Sequence, residues 1–187
     1  QNINKFAEYP FTRLRSLLSR DVKIKKTKIL DLSIGQPHHK FPSFVQKILS
    51  AENSKWNLYP PIKGIPILRN AYLKWLQKRF SLKKPFFNDE NILPLSGTRE
   101  GLFSISLALS VKQIIVPNPF YQVYLGASLF NNVPLVFLNT GQKENYLLDL
   151  EKLQKKIKNK TSLIYFCNPS NPQGKCASSD YLQKLIN

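Results

Sequence analysis

The chain contains the stretch SLIYFCNPSNPQG, residues 162–174, in which a run of apolar residues ends abruptly in an Asn-Pro-rich segment. The apolar part, residues 162–167, has the length and composition of a buried strand. A loop of this kind directly after a strand places a side-chain amide, that of Asn171, at the carboxyl end of a sheet. Open α/β sheets bind their ligands at that end. The stretch therefore predicts an α/β fold with a ligand site at the loop after its strand.

Strands and helices alternate through most of the chain. The predicted strands lie at residues 29–33, 92–95, 113–116, 135–138 and 162–167. The predicted helices lie at residues 10–20, 42–51, 64–80, 97–110, 121–130 and 150–157 and from 178 onward, with Asp149 as the N-cap of the sixth. Because parallel strands need long crossover connections, this alternation predicts a three-layer α/β/α fold with a mostly parallel sheet.

The composition is that of a globular protein with an excess of basic residues. Of 187 residues, 42% are hydrophobic and 21% are charged, and the net charge is +17. The basic residues are scattered, without an aromatic-interleaved stripe, so we interpret them as solvated surface rather than as a nucleic-acid site. A basic rim would still favour an anionic cofactor or a polycarboxylate substrate. No apolar run approaches the roughly 20 residues that span a bilayer. We therefore predict a soluble, cytoplasmic protein with no membrane partner.

The ends of the chain and its cysteines set further expectations. The sequence has no Met, and residues 180–187 have the pattern of an amphipathic helix that continues, so we expect both ends to be trimmed. Cys167 and Cys176 lack metal-binding spacing, and we interpret them as reduced structural thiols. His38 and His39 are adjacent and have no supporting ligands, so no metal site is predicted.

Residues 96–100, SGTRE, lie at a predicted strand-to-helix junction. The first turn of a helix has unpaired N–H groups and the positive end of the helix dipole. Gly97 allows the backbone to approach an anion closely, and the hydroxyls of Ser96 and Thr98 add donors. The segment is thus a candidate phosphate site, with an ordinary helix N-cap as the alternative.

Two further candidate segments follow later strands. Tyr121, in PNPFYQVY at residues 117–124, could stack on a flat ring, although core packing would also explain its aromatic residues. Asn171 could donate a hydrogen bond to a ring oxygen, or it could serve only as a turn former. A phosphate site, an aromatic face and an amide donor at successive strand ends together describe a site for a phosphorylated aromatic cofactor.

This ordered set resembles the class I/II aminotransferases, the fold-type I enzymes that use pyridoxal 5′-phosphate. Two other strings support the resemblance. The segment IGQP, residues 34–37, is similar to the family's amino-terminal Gly-x-Pro loop. The segment YPPIKGIPILR, residues 59–69, is similar to its Tyr-x-x-x-x-Gly-x-x-x-Leu-Arg signature.

The resemblance implies a role for each residue of the candidate cofactor site. Ser96, Gly97 and Thr98 would hold the phosphate of pyridoxal phosphate. Tyr121 would stack on its pyridine ring, and Asn171 would donate a hydrogen bond to its phenolic oxygen. These roles are expectations carried from the family to the matching positions of this sequence.

The resemblance also implies a domain division and a dimer. Residues 1–50 would form an amino-terminal arm and a small-domain segment, and residues 51–187 would form part of the large cofactor-binding domain. Tyr59 would reach the cofactor phosphate of the neighbouring subunit, which implies a homodimer, and Gly35 would lie beside the substrate carboxylate. Gln173 departs from the Thr that is usual in the family's Asn-Pro-Thr-Gly loop.

Within the family, four strings are similar to the bacterial N-succinyldiaminopimelate aminotransferases of lysine biosynthesis, which use glutamate as amino donor. They are FAEYPFTRL at residues 6–14, LSIGQPHH at 32–39, GTREGLF at 97–103 and PNPFYQVY at 117–124. This resemblance implies transfer of an amino group between glutamate or 2-oxoglutarate and a 2-oxo or 2-amino acid.

The resemblance places the catalytic groups outside this chain. In the family, the lysine that binds the cofactor covalently, the aspartate at the pyridine nitrogen and the arginine for the substrate carboxylate all lie after the Asn-Pro loop, beyond Asn187. We therefore expect this chain alone to be inactive. Two alternatives remain open at this point: a lyase or decarboxylase with the same cofactor and fold, and a non-catalytic basic remnant that binds nucleic acid.

Overall fold

The structure is a computed structural model that describes residues 10–21, 30, 35–82, 88–158 and 161–187. The predicted strand at residues 29–33 lies almost wholly outside these ranges, as does residue 34 of the segment IGQP. Internal contacts divide the chain into two compact units, one containing Leu95–Asn187 and the other containing Arg13–Pro94. The division predicted between residues 50 and 51 refers to the domains of a whole enzyme and stays a prediction.

A three-stranded parallel sheet organises the first unit. Its strands are β1 (Gln113–Asn118), β2 (Leu135–Asn139) and β3 (Ser162–Ile164), and their order is β2-β1-β3. Ile115 of β1 pairs with Val136 on one side and with Ile164 on the other. β1 is thus the central strand, and the side chains of residues 114–116 are completely buried.

Within the described ranges the helices are α1 (Pro10–Asp21), α2 (Ser43–Ala51), α3 (Pro66–Phe80), α4 (Thr98–Ala108), α5 (Gln122–Asn131), α6 (Leu150–Lys156) and α7 (Ser179–Ile186). The last four, α4 to α7, cover the two faces of this sheet. Ile114 and Val116 pack against α4 and α5, whereas Ile115 packs against α6 and α7. Successive side chains of a strand point to opposite faces, so the apolar residues 114–116 of β1 require helices on both sides. The predicted α/β fold with a parallel sheet is confirmed.

Local capping explains where two helices begin. The Asp149 carboxylate accepts a hydrogen bond of 3.0 Å from the backbone N–H of Lys152 at the start of α6, which confirms the predicted N-cap. The Ser178 hydroxyl accepts one of 3.2 Å from the N–H of Tyr181 at the start of α7. Such side-chain acceptors satisfy N–H groups that have no partner within the helix.

Two strand predictions need correction. Residues 92–95 were predicted as a strand, but they are irregular, because Pro94 has no N–H to donate and no described strand pairs with them. β3 ends at Ile164 rather than at Cys167. The last hydrogen bond between β3 and β1 runs from the Tyr165 N–H to the Ile115 carbonyl. Pro117 of β1 lacks the N–H that the next hydrogen bond of this pair would need.

The second unit has a local ion-pair network at α3. Arg69 is only 7% exposed, and its guanidinium lies 3.3 Å from Asp89 and 3.4 Å from Glu90. Lys63 lies 3.0 Å from the same Glu90 carboxylate. These cations and their hydrogen bonds keep the pKa of Glu90 below its usual value. Arg69, the last residue of the signature-like segment, is thus held by acidic partners.

None of the described helices is long and apolar enough to cross a bilayer.

Candidate functional site

Two of the candidate residues of the first unit lie on loops at one edge of the sheet. Tyr121 follows the carboxyl end of β1, and Asn171 follows that of β3. Parallel strands end at the same edge, so both loops belong to the edge at which α/β proteins bind ligands.

The start of α4 is open to solvent. Gly97 adopts a φ of +104°, which L-residues rarely adopt, and no atom lies within 4 Å of where its Cβ would be. Ser96, Gly97 and Thr98 are all exposed, and no side chain caps the helix. The geometry therefore leaves room for an anion beside this backbone.

Two charged residues in the first turn of α4 would act on such an anion in opposite directions. The Glu100 carboxylate accepts a hydrogen bond of 2.9 Å from the backbone N–H of Ser96, and its negative charge opposes a phosphate. Arg99, the preceding residue, carries a guanidinium that favours one. The two charges offset each other at the mouth of the candidate phosphate site.

A direct contact joins α4 to the loop after β1. Arg99 Nε donates a hydrogen bond of 2.6 Å to the Tyr121 hydroxyl. The guanidinium carbon also lies 5.7 Å from the centre of the Tyr121 ring, within the range of a cation–π interaction. The structure thus brings Tyr121 together with the segment that contains Ser96, Gly97 and Thr98.

Three tyrosines form a column behind this contact. The rings of Tyr121 and Tyr124 meet edge to face at 5.8 Å, and Tyr124 stacks on Tyr165 at 4.0 Å. The Tyr165 hydroxyl donates a hydrogen bond to the Leu102 carbonyl of α4. Burial raises the pKa of both Tyr124 and Tyr165, which favours the protonated form of both phenols. The column connects the ends of β1 and β3 to α4.

The loop after β3 is held by its own hydrogen bonds. The Gly174 N–H donates to the Ser170 carbonyl at 2.7 Å, and the Ser170 N–H donates to the Lys175 carbonyl at 2.8 Å. The Asn168 side chain accepts a bond of 2.9 Å from the Ala177 N–H. Asn171 lies exposed in this loop, between two prolines whose peptide bonds, after Asn168 and after Asn171, are cis.

A small cavity of about 20 Å³ lies against this loop. Asn171 and Gln173 line it together with Pro117 and Pro119 of the β1 loop, so the loops after β3 and β1 are neighbours. Its lining does not include Tyr121 or residues 96–98. The structure therefore brings Asn171 to the loop that contains Tyr121, without enclosing the three candidate segments in this one cavity.

Tyr146 also lines this cavity and was not predicted from the sequence. It adopts a φ of 59°, and Asn145 before it adopts 52°, both in the left-handed region. Hydrogen bonds from their backbone N–H groups, to the carbonyls of Gly141 and Gln142, hold this turn. Left-handed geometry at a bulky residue is often found at functional sites. The Asn beside it, a residue that tolerates this region, is the only signal in the sequence.

The remaining two candidates lie in the second unit. Tyr59 is completely exposed, and Gly35 is exposed in an irregular segment with no atom within 4 Å of where its Cβ would be. Their roles toward a cofactor phosphate and a substrate carboxylate stay predictions. The predicted thiols are both free, Cys176 exposed and Cys167 partly buried, with the Cys167 sulfur 3.2 Å from the Pro169 carbonyl.

Comparison with known proteins extends these observations. The family model described as aminotransferase class I and II matches residues 27–187. The LL-diaminopimelate aminotransferase of Dehalococcoides mccartyi strain CBDB1 is 29% identical over 191 residues, covering 100% of this chain and 48% of that protein. The asparagine–oxo-acid transaminase of Streptococcus mutans is 25% identical over 96% of the chain. The chain thus spans about half the length of the curated relatives it matches.

Solved structures give the same result. An aminotransferase from Neisseria meningitidis superposes with a TM-score of 0.87 and 28% identity, covering 100% of this chain and 48% of that one. The aminotransferase AspB of Helicobacter pylori superposes with a TM-score of 0.84 and 30% identity, covering 97% and 47%. With a family match over 27–187, the chain belongs to the class I and II aminotransferase family.

Proposed function

We propose that the whole protein is a pyridoxal-phosphate-dependent aminotransferase that moves an amino group between glutamate and a 2-oxo acid. The observation that carries the proposal is the 2.6 Å bond between Arg99 and Tyr121, which links a solvent-open helix start to an aromatic ring at the ligand edge of the sheet. A phosphorylated aromatic cofactor needs such a pair of groups close together. The family match over residues 27–187 supports the same cofactor.

The described residues fit this cofactor. The α4 start offers backbone N–H groups and the hydroxyls of Ser96 and Thr98 to the phosphate, and the space at Gly97 admits it. Tyr121 offers an aromatic face, and Asn171 offers an amide donor from the neighbouring loop. Glu100 is the one unfavourable group, because its carboxylate lies in the first turn of α4.

Bound pyridoxal phosphate supplies an electron-withdrawing ring that stabilises negative charge on a substrate carbon. The residues of this chain would bind and orient it. Ser96, Gly97 and Thr98 would hold its phosphate, and Tyr121 would lie against its ring. Asn171 would donate a hydrogen bond from its amide to the ring oxygen. The lysine that moves the substrate proton would come from outside these 187 residues, in agreement with the half-length match to the relatives.

Diaminopimelate is the substrate class we propose. The first relatives are LL-diaminopimelate aminotransferases, and the strings at residues 97–103 and 117–124 resemble the N-succinyldiaminopimelate enzymes. Both substrates are amino acids with additional carboxylates, which suit a chain with a net charge of +17. The place of the protein would be lysine biosynthesis in the cytoplasm.

We also propose a homodimer in which the exposed Tyr59 reaches the cofactor phosphate of the second copy. Its complete exposure leaves the side chain available for a contact with another chain. Sedimentation of the whole protein tests the dimer, and Tyr59→Phe should weaken cofactor binding without changing the sedimentation coefficient.

The proposed cofactor site is tested by titrating the whole protein with pyridoxal phosphate and following its absorbance. The double variant Ser96→Ala with Thr98→Ala should weaken binding by about tenfold per hydrogen bond lost to a charged phosphate. Ser104→Ala, at an exposed position of the same helix, is the matched control and should bind normally. Equal affinity of all three proteins would contradict the assignment.

The reaction itself is tested by substrate profiling of the whole protein. Appearance of glutamate from 2-oxoglutarate with LL-diaminopimelate or with its N-succinyl derivative as donor is expected. Release of carbon dioxide or of a thiol, without glutamate, would instead indicate a decarboxylase or a lyase of the same fold. Strongly salt-dependent DNA binding without any cofactor binding would indicate a basic nucleic-acid-binding protein.

A further inference from the structure

We infer that a second anion site lies at the opposite edge of the sheet, in a cleft that binds an organic polyphosphate. The cleft has a volume of about 350 Å³. Its lining residues are Lys112, Gln113, Pro134, Val136, Lys156 and Lys158. It lies where β1 begins, whereas the candidate cofactor residues lie beyond the end of β1. The two sites are therefore separated by the length of the strand, about 3.3 Å per residue.

The lysines of this cleft concentrate positive charge without neutralisation. No carboxylate lines the cleft, and no ion pair of Lys112, Lys156 or Lys158 is found in the described ranges. Lys152, on the same α6 helix, behaves differently, because its ammonium lies 3.2 Å from Glu144 and 3.3 Å from Asp149. A bound polyanion would neutralise the positive charge of these three lysines.

A buried side chain holds the backbone segments that carry two of these lysines. Gln113 is only 6% exposed. Its amide nitrogen donates to the Lys156 carbonyl at 3.0 Å, and its amide oxygen accepts bonds from the Lys158 N–H at 3.3 Å and from the Ser162 hydroxyl at 2.9 Å. The bonds of Gln113 therefore fix the end of α6 against the start of β3.

The third lysine is fixed by the sheet itself. The Lys112 N–H donates a hydrogen bond of 3.0 Å to the Thr161 carbonyl, which lies directly before β3. The backbone of all three lysines is thus ordered, which keeps their attachment points around one cleft.

The apolar residues of the cleft indicate what the rest of the ligand is. Pro134 and Val136 supply carbon surface beside the lysines, and the volume lies in the range of small-molecule sites. A ligand with several phosphates and an apolar or aromatic body would satisfy both parts of the lining. A nucleoside diphosphate has this chemistry.

A purely structural role accounts for only part of this cluster. Lys155 and Lys156 lie in the last turn of α6, where a cation interacts favourably with the helix dipole. Lys112 precedes β1 and Lys158 follows the end of α6, so neither belongs to that turn. The helix dipole therefore does not explain why Lys112 and Lys158 line the same cleft as Lys156.

The test is calorimetric titration of the whole protein with ADP and, separately, with inorganic pyrophosphate. The wild-type protein should bind both, ADP more tightly because of the apolar surface. The triple variant Lys112→Gln, Lys156→Gln, Lys158→Gln should lose at least about tenfold in affinity for ADP. The corresponding triple arginine variant, which retains the charge, should still bind.

Two control variants test whether ADP binds at this cleft rather than elsewhere on the molecule. The triple variant Lys47→Gln, Lys74→Gln, Lys78→Gln changes the net charge by the same amount at exposed positions of the other unit that do not line the cleft, and it should bind ADP normally. The variant Ser96→Ala with Thr98→Ala should also bind ADP normally. Absence of binding by the wild type, equal weakening by both lysine-to-glutamine variants, or loss of ADP binding in the serine–threonine variant would each overturn the inference.

Discussion

Arg99 and Tyr121, 22 residues apart in sequence, are joined by a 2.6 Å hydrogen bond from the guanidinium Nε to the phenol oxygen. The bond connects the first turn of α4 to the loop after the central strand. Arg99 therefore fixes the distance between the candidate phosphate site and the candidate ring-stacking residue.

Loss of this bond should weaken cofactor binding. Arg99→Gln removes a hydrogen bond from a charged donor, and we expect the dissociation constant of pyridoxal phosphate to rise about tenfold. The dissociation constant of Arg99→Lys should lie between those of the wild type and Arg99→Gln. Absorbance titration of the whole protein measures it. Arg79→Gln is the control, because Arg79 lies over the Phe80 ring at 5.4 Å in the other unit and should have no effect.

A double-mutant cycle checks that Arg99 acts through Tyr121. If it does, the double variant Tyr121→Phe with Arg99→Gln should lose little more cofactor affinity than either single variant, because each change removes the same hydrogen bond. Additive effects would show that Arg99 acts on the cofactor by another route.

Removal of the Tyr121 ring is a separate prediction. Tyr121→Ala eliminates the stacking surface, which contributes about 0.5–1.5 kcal/mol for aromatic pairs, so the cofactor should bind roughly two- to tenfold more weakly than in Tyr121→Phe. Equal affinities of the two variants in the same titration would mean that the ring does not contact the cofactor.

The central strand should dominate stability. Ile115 is completely buried between the sheet and the α6–α7 layer, and Ile115→Ala should lower the free energy of unfolding by about 2–5 kcal/mol. Ile105→Ala, on the partly exposed face of α4, should lower the free energy of unfolding much less. Urea unfolding followed by circular dichroism compares the two variants, and similar losses would contradict the arrangement of the core.

The tyrosine column predicts a loss of stability in alkali. Burial raises the pKa of Tyr124 and Tyr165 above the ordinary value of 10.0, so above about pH 10 the unfolded chain loses these protons before the folded chain does. The stabilisation that these two protonated phenols contribute is complete below about pH 10, and the free energy of unfolding should fall as the pH rises further.

The variant Tyr124→Phe checks this pH dependence, because it removes one ionisable group from the column. Urea unfolding between pH 8 and about pH 11 should show a shallower decline in this variant than in the wild type. The exposed Tyr72→Phe serves as the control and should follow the wild type. Identical slopes for all three proteins would contradict the role of the buried phenols.

The architecture was largely predictable because its signals are local. The apolar centre of β1, residues 114–116, and the capping residue Asp149 follow from sequence spacing, and both appear as expected. The errors came from interactions between strands. The residues from 92 to 95 have strand-like composition, yet Pro94 cannot donate to a neighbour, and Pro117 on β1 ends the pairing of β3 early.

The candidate site was predictable only as separate pieces. Each of Ser96, Tyr121 and Asn171 follows from its place at the end of a predicted strand or the start of a helix. The contacts that join the pieces, Arg99 to Tyr121 and Tyr124 to Tyr165, link residues 22 and 41 positions apart. Such pairs depend on the packing of helices on the sheet, which periodicity does not specify.

The most direct test of the proposed site is an experimental structure of the whole protein with pyridoxal phosphate bound. We expect the phosphate at the backbone of residues 96–98, the pyridine ring against Tyr121 and the ring oxygen within hydrogen-bond distance of Asn171. A cofactor bound with its phosphate away from the α4 start and its ring away from Tyr121 would contradict it.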